Sequence, residues 1–414
     1  MRILVVSQYY DPEPVYLPGT IARGLAERGH DVTVVTGFPN YPGGKVYSGF
    51  RQRPAHREQD GAVKVLRTPI WISHSKNPLG RILNYLSFAV SSFITSFAVR
   101  NIDVVYVYSA QMTASLGPSL RRFFRGTPYV LHVQDLWPES VTGSSMVGGG
   151  RMSRLISALL KPWLTVLYKQ ATATVAIAPT MAKMLVARGV PSARIRMVFN
   201  WANEKPDGAR GSVSRDHGTS VLKREEILVV YAGNLGDHQD LETVIRAAKA
   251  VETHARLRFE LYGAGVAKER LEALAQSLGV NNLEFCGTVG ASEIKDVYAK
   301  ADFQLITLLD REIFRGTIPS KFQAALFSGS AIMTNVSGDV ASICSNENFG
   351  LTCEPGSVEA MAEMFIQGAQ KTAYERQSMA ANGRRFYLSV MSLDQGLEAL
   401  EDILIEAATA GKMK

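Results

Sequence analysis

The residues best placed to do chemistry in this chain are the run Gly316-Thr317-Ile318-Pro319-Ser320-Lys321-Phe322-Gln323, with Arg315 just before it. Pro319 suits the first position of a helix, and Thr317 or Ser320 suits its cap. A helix start leaves backbone N–H groups unpaired and carries partial positive charge. With Lys321 and Arg315 beside it, such a start fits a diphosphate. Three more segments place glycines after apolar runs: Gly233, Asn234 and Gly236 in Tyr-Ala-Gly-Asn-Leu-Gly; Gly263 and Gly265 in Tyr-Gly-Ala-Gly; and Gly287, two residues before Val289. A lone Gly-x-Gly is equally well a tight turn. Four glycine-bearing strand ends in one half of a chain point together to backbone that approaches a phosphate.

The N-terminal half offers other candidates. Gly19-Thr20 opens a helical pattern. His132 and Asp135 flank the end of an apolar run. Strand-end polar residues of α/β folds are enriched in sites, so both are candidate catalytic residues, against the alternative of a satisfied histidine in a wall. Glu139, after Trp137-Pro138, fits a helix-start carboxylate. Cys286, Cys344 and Cys353 lack metal-ligand spacing, and no Asp-x-Asp occurs. No metal and no cofactor is expected.

Alternating elements must position these residues. Ile3–Ser7, Asp31–Thr36, Val63–Thr68, Asp103–Tyr108, Tyr129–Val133 and Ala173–Ile177 read as strands separated by helical patterns such as Pro18–Arg28. The pattern restarts after a Gly/Ser/Asp/Arg-rich stretch, Ala202–Thr219, with Ile227–Tyr231, Leu257–Tyr262, Leu283–Cys286, Phe303–Ile306 and Ala331–Thr334. Strand–helix alternation implies parallel sheets. The expectation is an α/β chain of two Rossmann-like, doubly wound domains facing across a cleft, spanning 1–203 and 220–391. A closing amphipathic helix within 392–414 would pack back on the first domain.

The net charge of +7 is uneven: residues 51–200 hold 19 Lys/Arg against 5 Asp/Glu. That half suits an anionic partner. No zinc finger or RNP-type motif is present, so nucleic acid is not expected. Ile82–Val99 is uncharged, apolar and bracketed by Arg81 and Arg100, and Met152–Lys169 mixes basic and apolar residues. Asn84 and several Ser/Thr argue against a membrane span; a helix lying on an anionic membrane surface fits better. The short first strand lacks a signal-peptide cleavage site. With few cysteines, this places the chain in the cytoplasm, peripheral on the inner membrane face.

The ordered series Tyr-Ala-Gly-Asn-Leu-Gly, Tyr-Gly-Ala-Gly, Phe-Cys-Gly-Thr-Val, Ala-Asp-Phe-Gln-Leu-Ile and Pro-Ser-Lys with Leu326-Phe327-Ser328-Gly329 resembles the donor domain of retaining glycosyltransferases of family four, which have the GT-B fold. Gln8-Tyr9-Tyr10-Asp11-Pro12, Asp135-Leu136-Trp137-Pro138-Glu139-Ser140 and Phe199-Asn200-Trp201-Ala202-Asn203 resemble a branch that includes bacterial surface-polysaccharide N-acetyl-fucosamine and fucose transferases. The resemblance implies transfer of a sugar from a UDP- or GDP-sugar to a lipid-linked or other glycan acceptor, with retention, in cell-surface polysaccharide or glycolipid synthesis. It implies donor binding by Gly233, Asn234, Gly236, Gly263, Gly265, Gly287, Val289, Arg315, Thr317, Pro319, Ser320 and Lys321, with Gly19 and Thr20 facing the diphosphate. Two positions depart from the family pattern. Ala324 stands where many members place a ribose-binding Glu, and Gln239 lies near the place of a basic residue. A non-hydrolysing sugar-nucleotide 2-epimerase and a non-catalytic nucleotide-sugar-binding protein remain alternatives.

Overall fold

The computed structural model describes residues 1–54, 56–73, 78–138, 151–204, 226–254, 256–290 and 293–412. Glu139, Ser140 and most of the Ala202–Thr219 stretch lie outside the described residues. The chain divides into two compact units, Met1–Phe199 with Gly396–Lys414, and Asn200–Gln395.

The first unit runs β1 (Arg2–Val6), α1 (Tyr16–Glu27), β2 (Asp31–Gly37), β3 (His56–Asp60), β4 (Val63–Thr68), α2 (Pro78–Ala98), β5 (Val104–Ser109), α3 (Leu116–Arg125), β6 (Tyr129–Val133), α4 (Arg151–Gln170), β7 (Ala173–Ala176), α5 (Pro179–Ala187) and β8 (Ile195–Met197). Among the described residues the sheet order is β3-β4-β2-β1-β5-β6-β7-β8. Among the described strand pairs only the β3–β4 edge pair is antiparallel. Ile3, Leu4, Val5 and Val6 are all fully buried, as are Val104, Val105, Tyr106 and Val107. Continuous apolar runs of this kind mark strands covered on both faces, which is why a parallel sheet forms here.

The second unit runs β9 (Ile227–Ala232), α6 (Leu241–Val251), β10 (Leu257–Tyr262), α7 (Lys268–Leu278), β11 (Leu283–Gly287), α8 (Ile294–Lys300), β12 (Phe303–Ile306), α9 (Glu312–Arg315), α10 (Ser320–Ser328), β13 (Ala331–Thr334), α11 (Asp339–Asn346), β14 (Gly350–Thr352), α12 (Val358–Gln370) and α13 (Ala373–Phe386). Its sheet is β11-β10-β9-β12-β13-β14, parallel throughout the described pairs. The last helix, α14 (Leu393–Lys412), ends within the first unit. Both units are thus Rossmann-like α/β domains with parallel-dominated sheets.

Strand order reverses beside β1 in one unit and beside β9 in the other. In α/β sheets, ligands bind outside the carboxyl ends of the strands at such reversals. That rule selects the chain after β1, β5 and β6, and after β9 and β12.

Candidate functional site

In the second unit the site is built around Lys321. Pro319 has φ −62° and ψ 142°, so it is the cap residue of α10 and Ser320 the first helical one; Pro319 is not inside the helix as its sequence suggests. The cap position is taken by Pro319, which has no side-chain cap bond, rather than by Thr317 or Ser320 as expected. Lys321 turns back from the first turn of α10 to the end of β9. Its Nζ donates to the Tyr231 hydroxyl and to Gln239 Oε1 at 2.7 Å, and lies 4.0 Å from the centre of the Tyr231 ring. Burial lowers the Lys321 amine from 10.5 to about 7. No carboxylate of the described residues pairs with it. The lysine is therefore not the fixed charge its sequence position suggests; it titrates near neutrality.

Gly233 makes room for this side chain. It has φ +152°, and a Cβ there would lie 2.3 Å from Lys321 Cε. Gly263 and Gly265 serve the backbone instead. A Cβ on Gly263 would lie 1.8 Å from the Gly233 carbonyl oxygen, and one on Gly265 2.3 Å from that of Leu235. The Gly233 N–H donates to the Tyr262 carbonyl and that of Gly263 to the Gly287 carbonyl. Those two N–H groups are already used, so the glycines stack the strand ends rather than offer these donors to a phosphate. Val289 packs against the apolar cluster of Leu228, Val230 and Tyr262.

Arg315 is held by Asp310 through two contacts, Nε at 3.1 Å and a terminal nitrogen at 2.8 Å. This pair keeps the Asp310 carboxyl below its usual range. Part of the Arg315 charge is already answered. The loop carrying Gln239 is pinned by the Thr307 hydroxyl, which donates to the Gln239 carbonyl at 2.5 Å, and by the Leu309 N–H, which donates to the His238 carbonyl. Behind it, Asp240 accepts from Thr243 at 2.6 Å and from Asn335 at 2.7 Å. Sequence reading did not find Tyr231 or Asn335; their only signal is a polar atom at a strand end.

In the first unit, Asp135 follows β6. Its side chain is exposed at the surface, while partial desolvation by the neighbouring protein pushes its carboxyl from 3.8 to about 6. Tyr9, Tyr85 and Tyr108 lie within electrostatic range of it. Tyr9 packs on Tyr41 with centroids 5.5 Å apart, and Tyr85 on Trp137 at 5.6 Å. Buried Glu13 sets the first pair: it accepts backbone N–H bonds from Asn40 and Tyr41 at 2.8 Å and from Tyr10 at 3.3 Å. Gln8, bonded to Asn84 and by Gln111, ties the end of β1 to α2 and to the chain after β5. The result is a carboxylate among aromatic rings, a common surface for a sugar ring.

His132 is 0% exposed. Its Nδ1 bonds the Tyr106 hydroxyl at 2.6 Å, and Nε2 has no partner. Burial lowers it to about 3. It is a neutral, buried ring behind Tyr106 and Tyr108. Gly19 and Thr20 lie within α1, which begins earlier, at Tyr16. A Cβ on Gly19 would lie 1.9 Å from Asp11 Oδ2, and the Thr20 hydroxyl donates to the Leu17 carbonyl at 3.0 Å. Gly19 thereby admits the Asp11 loop, which Arg23 also holds.

Comparison with known proteins follows this geometry. Residues 18–201 match the "Glycosyl transferase 4-like domain" family and residues 213–386 the "Glycosyl transferases group 1" family. A relative from Escherichia coli (strain K12), named "Putative colanic acid biosynthesis glycosyl transferase WcaI", is 28% identical over 381 residues, covering 87% of this chain and 90% of that one. The structure of Anabaena Alr3699/HepE in complex with UDP and glucose superposes with TM-score 0.64 at 14% identity, over 98% of this chain and 99% of that one. WaaG, a glycosyltransferase involved in lipopolysaccharide biosynthesis, superposes with TM-score 0.63 at 17% identity, over 98% and 99%.

Proposed function

We propose, from the premise that this chain is a family-four glycosyltransferase of the GT-B fold, that it moves a hexose-type sugar from a UDP- or GDP-sugar to a lipid-linked glycan acceptor. The observation that carries this reading is Lys321, a desolvated amine without a carboxylate partner at the start of α10. As the glycosidic bond to the donor breaks, negative charge builds on the leaving diphosphate. A cation held in a low-dielectric site beside a helix N-terminus stabilises that charge most where it develops. Arg315 reinforces it after loosening from Asp310. Transfer proceeds with retention and needs no metal, since Lys321 and the helix start supply the positive charge. Asp135 and the Tyr9, Tyr41, Tyr85 and Trp137 rings hold the acceptor sugar, and His132 fixes the rings behind them. The likeness to WcaI supports a role in cell-surface polysaccharide synthesis.

A lipid-linked acceptor needs an enzyme at the bilayer. No helix among the described residues is long and apolar enough to cross a membrane. On α2, however, Ile82, Leu83, Leu86, Val90 and Ile94 are 45–62% exposed at near-helical spacing, and Phe123 and Phe124 at the end of α3 are more exposed still. Arg122 and Arg125 flank them. Apolar side chains ringed by arginines suit peripheral binding to an anionic leaflet at the cytoplasmic face.

The test is thermal unfolding against UDP, GDP, ADP and their sugars, followed by turnover with the stabilising donor, with and without a polyprenyl-linked acceptor. One nucleotide sugar is expected to raise Tm strongly, and product to form only with acceptor. A changed nucleotide sugar without acceptor would replace this reading with epimerase; no stabilisation by any nucleotide would end it.

A further inference from the structure

The first unit holds a second recess of about 540 Å³ at the opposite end of its sheet. It lies by Arg2 and Asp31, where β1 and β2 begin, whereas Asp135 follows the end of β6. One wall is apolar and includes Val65 and Leu66 of β4, Ile94 of α2 and Ile102. The rim is basic. Arg2 answers Asp103 at 3.3 Å, Lys64 answers Asp31 at 2.8 Å, and Glu58 is taken by Arg67. Arg57 and Arg100 line the recess and have no carboxylate partner among the described residues. After the internal pairs are counted, two positive charges are left facing an apolar wall.

That pairing selects the ligand class. Among the described residues its walls carry no Trp, Tyr or Phe on which a base would stack, so a nucleotide is poorly served. An ion of phosphate size would leave the apolar wall unused. A molecule with a phosphate beside an acyl chain uses both. Ile94 belongs to the recess and also to the exposed apolar stripe of α2, so a chain leaving the recess runs onto the face proposed to meet the bilayer. We infer that this recess is a headgroup site for one anionic glycerophospholipid, with Arg57 and Arg100 on its phosphate and Ile94 against its first acyl carbons. Charge complementarity sets the occupant, and the site makes membrane binding lipid-selective rather than only charge-dependent. The inference rests on the peripheral-membrane reading above, but it is testable without a membrane.

The experiment uses the full chain and dihexanoyl-phosphatidylglycerol below its micelle concentration, with dihexanoyl-phosphatidylcholine, glycerol phosphate and inorganic phosphate as further arms. Calorimetry is expected to show one phosphatidylglycerol bound per chain, at least tenfold tighter than phosphatidylcholine. Arg57→Glu with Arg100→Glu removes that binding but leaves nucleotide-sugar stabilisation unchanged. Ile94→Glu weakens the lipid and spares glycerol phosphate. Equal binding by the double variant, or no binding by the native chain, overturns the inference. Tight binding of inorganic phosphate alone would make this a free-phosphate site and also overturn it. Vesicle flotation separates the two readings: a native chain that floats with anionic vesicles yet ignores the short lipid keeps the surface reading and loses the recess.

Discussion

Lys321 makes a pH prediction whose sign follows from its environment. Its ordinary value of 10.5 falls to about 7 in the empty site. Above pH 7 the site therefore holds a neutral amine, and binding a diphosphate requires it to take up a proton. Affinity for the nucleotide sugar should be flat below pH 7 and fall above it, approaching about tenfold per pH unit. Calorimetry in buffers of different ionisation heat should show uptake of about half a proton at pH 7. Affinity unchanged between pH 7 and 9 would show that Lys321 stays charged. Asp135 is the mirror case. Its folded carboxyl is raised from 3.8 to about 6, so the native state resists ionisation and stability declines as pH rises between those values. Asp135→Asn should raise stability above pH 6 by about 1 kcal/mol, well under the full shift because water screens an exposed carboxylate. Its kcat should fall at least tenfold, a trade of activity for stability. Urea midpoints with turnover measure both; a variant both less stable and fully active would remove Asp135 from the site. Lys321 was legible as a candidate because it opens a helix, and Asp135 because polar groups at strand ends are conspicuous. Their protonation was not legible, since it depends on desolvation that only the fold supplies.

At the scale of elements, the parallel strands were the most legible part. Tyr129–Val133, Phe303–Ile306 and Ala331–Thr334 begin and end where their buried runs do. Burial on both faces leaves such strands little freedom in sequence. The edge strand His56–Asp60 escaped because one-sided, charged edges carry no apolar signal. Glycines were legible as turns, but their division of labour was not. Gly263 and Gly265 accommodate neighbouring carbonyls, whereas Gly233 accommodates a side chain. This difference is measurable. Gly233→Ala must move the Lys321 stem, so it should weaken nucleotide-sugar binding at least tenfold, with a stability cost of about 1–3 kcal/mol for the left-handed backbone. Gly263→Ala meets the Gly233 carbonyl itself and should cost more stability. Equal effects of the two on binding, after correction for folded fraction, would mean that Gly233 is only another stacking glycine.

At the scale of the molecule, the uneven charge and the restart of the strand pattern announced two units. The leucines of the final helix showed an amphipathic element, expected to pack back on the first domain. In the fold, α14 returns to the first unit after the whole second unit has intervened. Leu397 sits over Gly24, where a Cβ would lie 2.3 Å from its Cδ1. Leu400 and Leu404 are fully buried. Glu401 joins Arg28 and His30, each at 2.8 Å, and Glu406 joins Arg196 at 3.1 Å. The ion pairs are partly exposed and contribute little, so apolar burial must dominate the docking. Leu404→Ala should then destabilise the first unit by about 2–5 kcal/mol. The sheet that carries Lys321 lies in the other unit, so the rise in unfolding temperature caused by the nucleotide sugar should persist in that variant. Hydrogen exchange would read the two units separately. Protection lost in β1 and β2 with protection kept in β9 and β12 is the expected pattern. Equal loss in both sheets would show that α14 stabilises the chain as one cooperative body rather than closing its first unit.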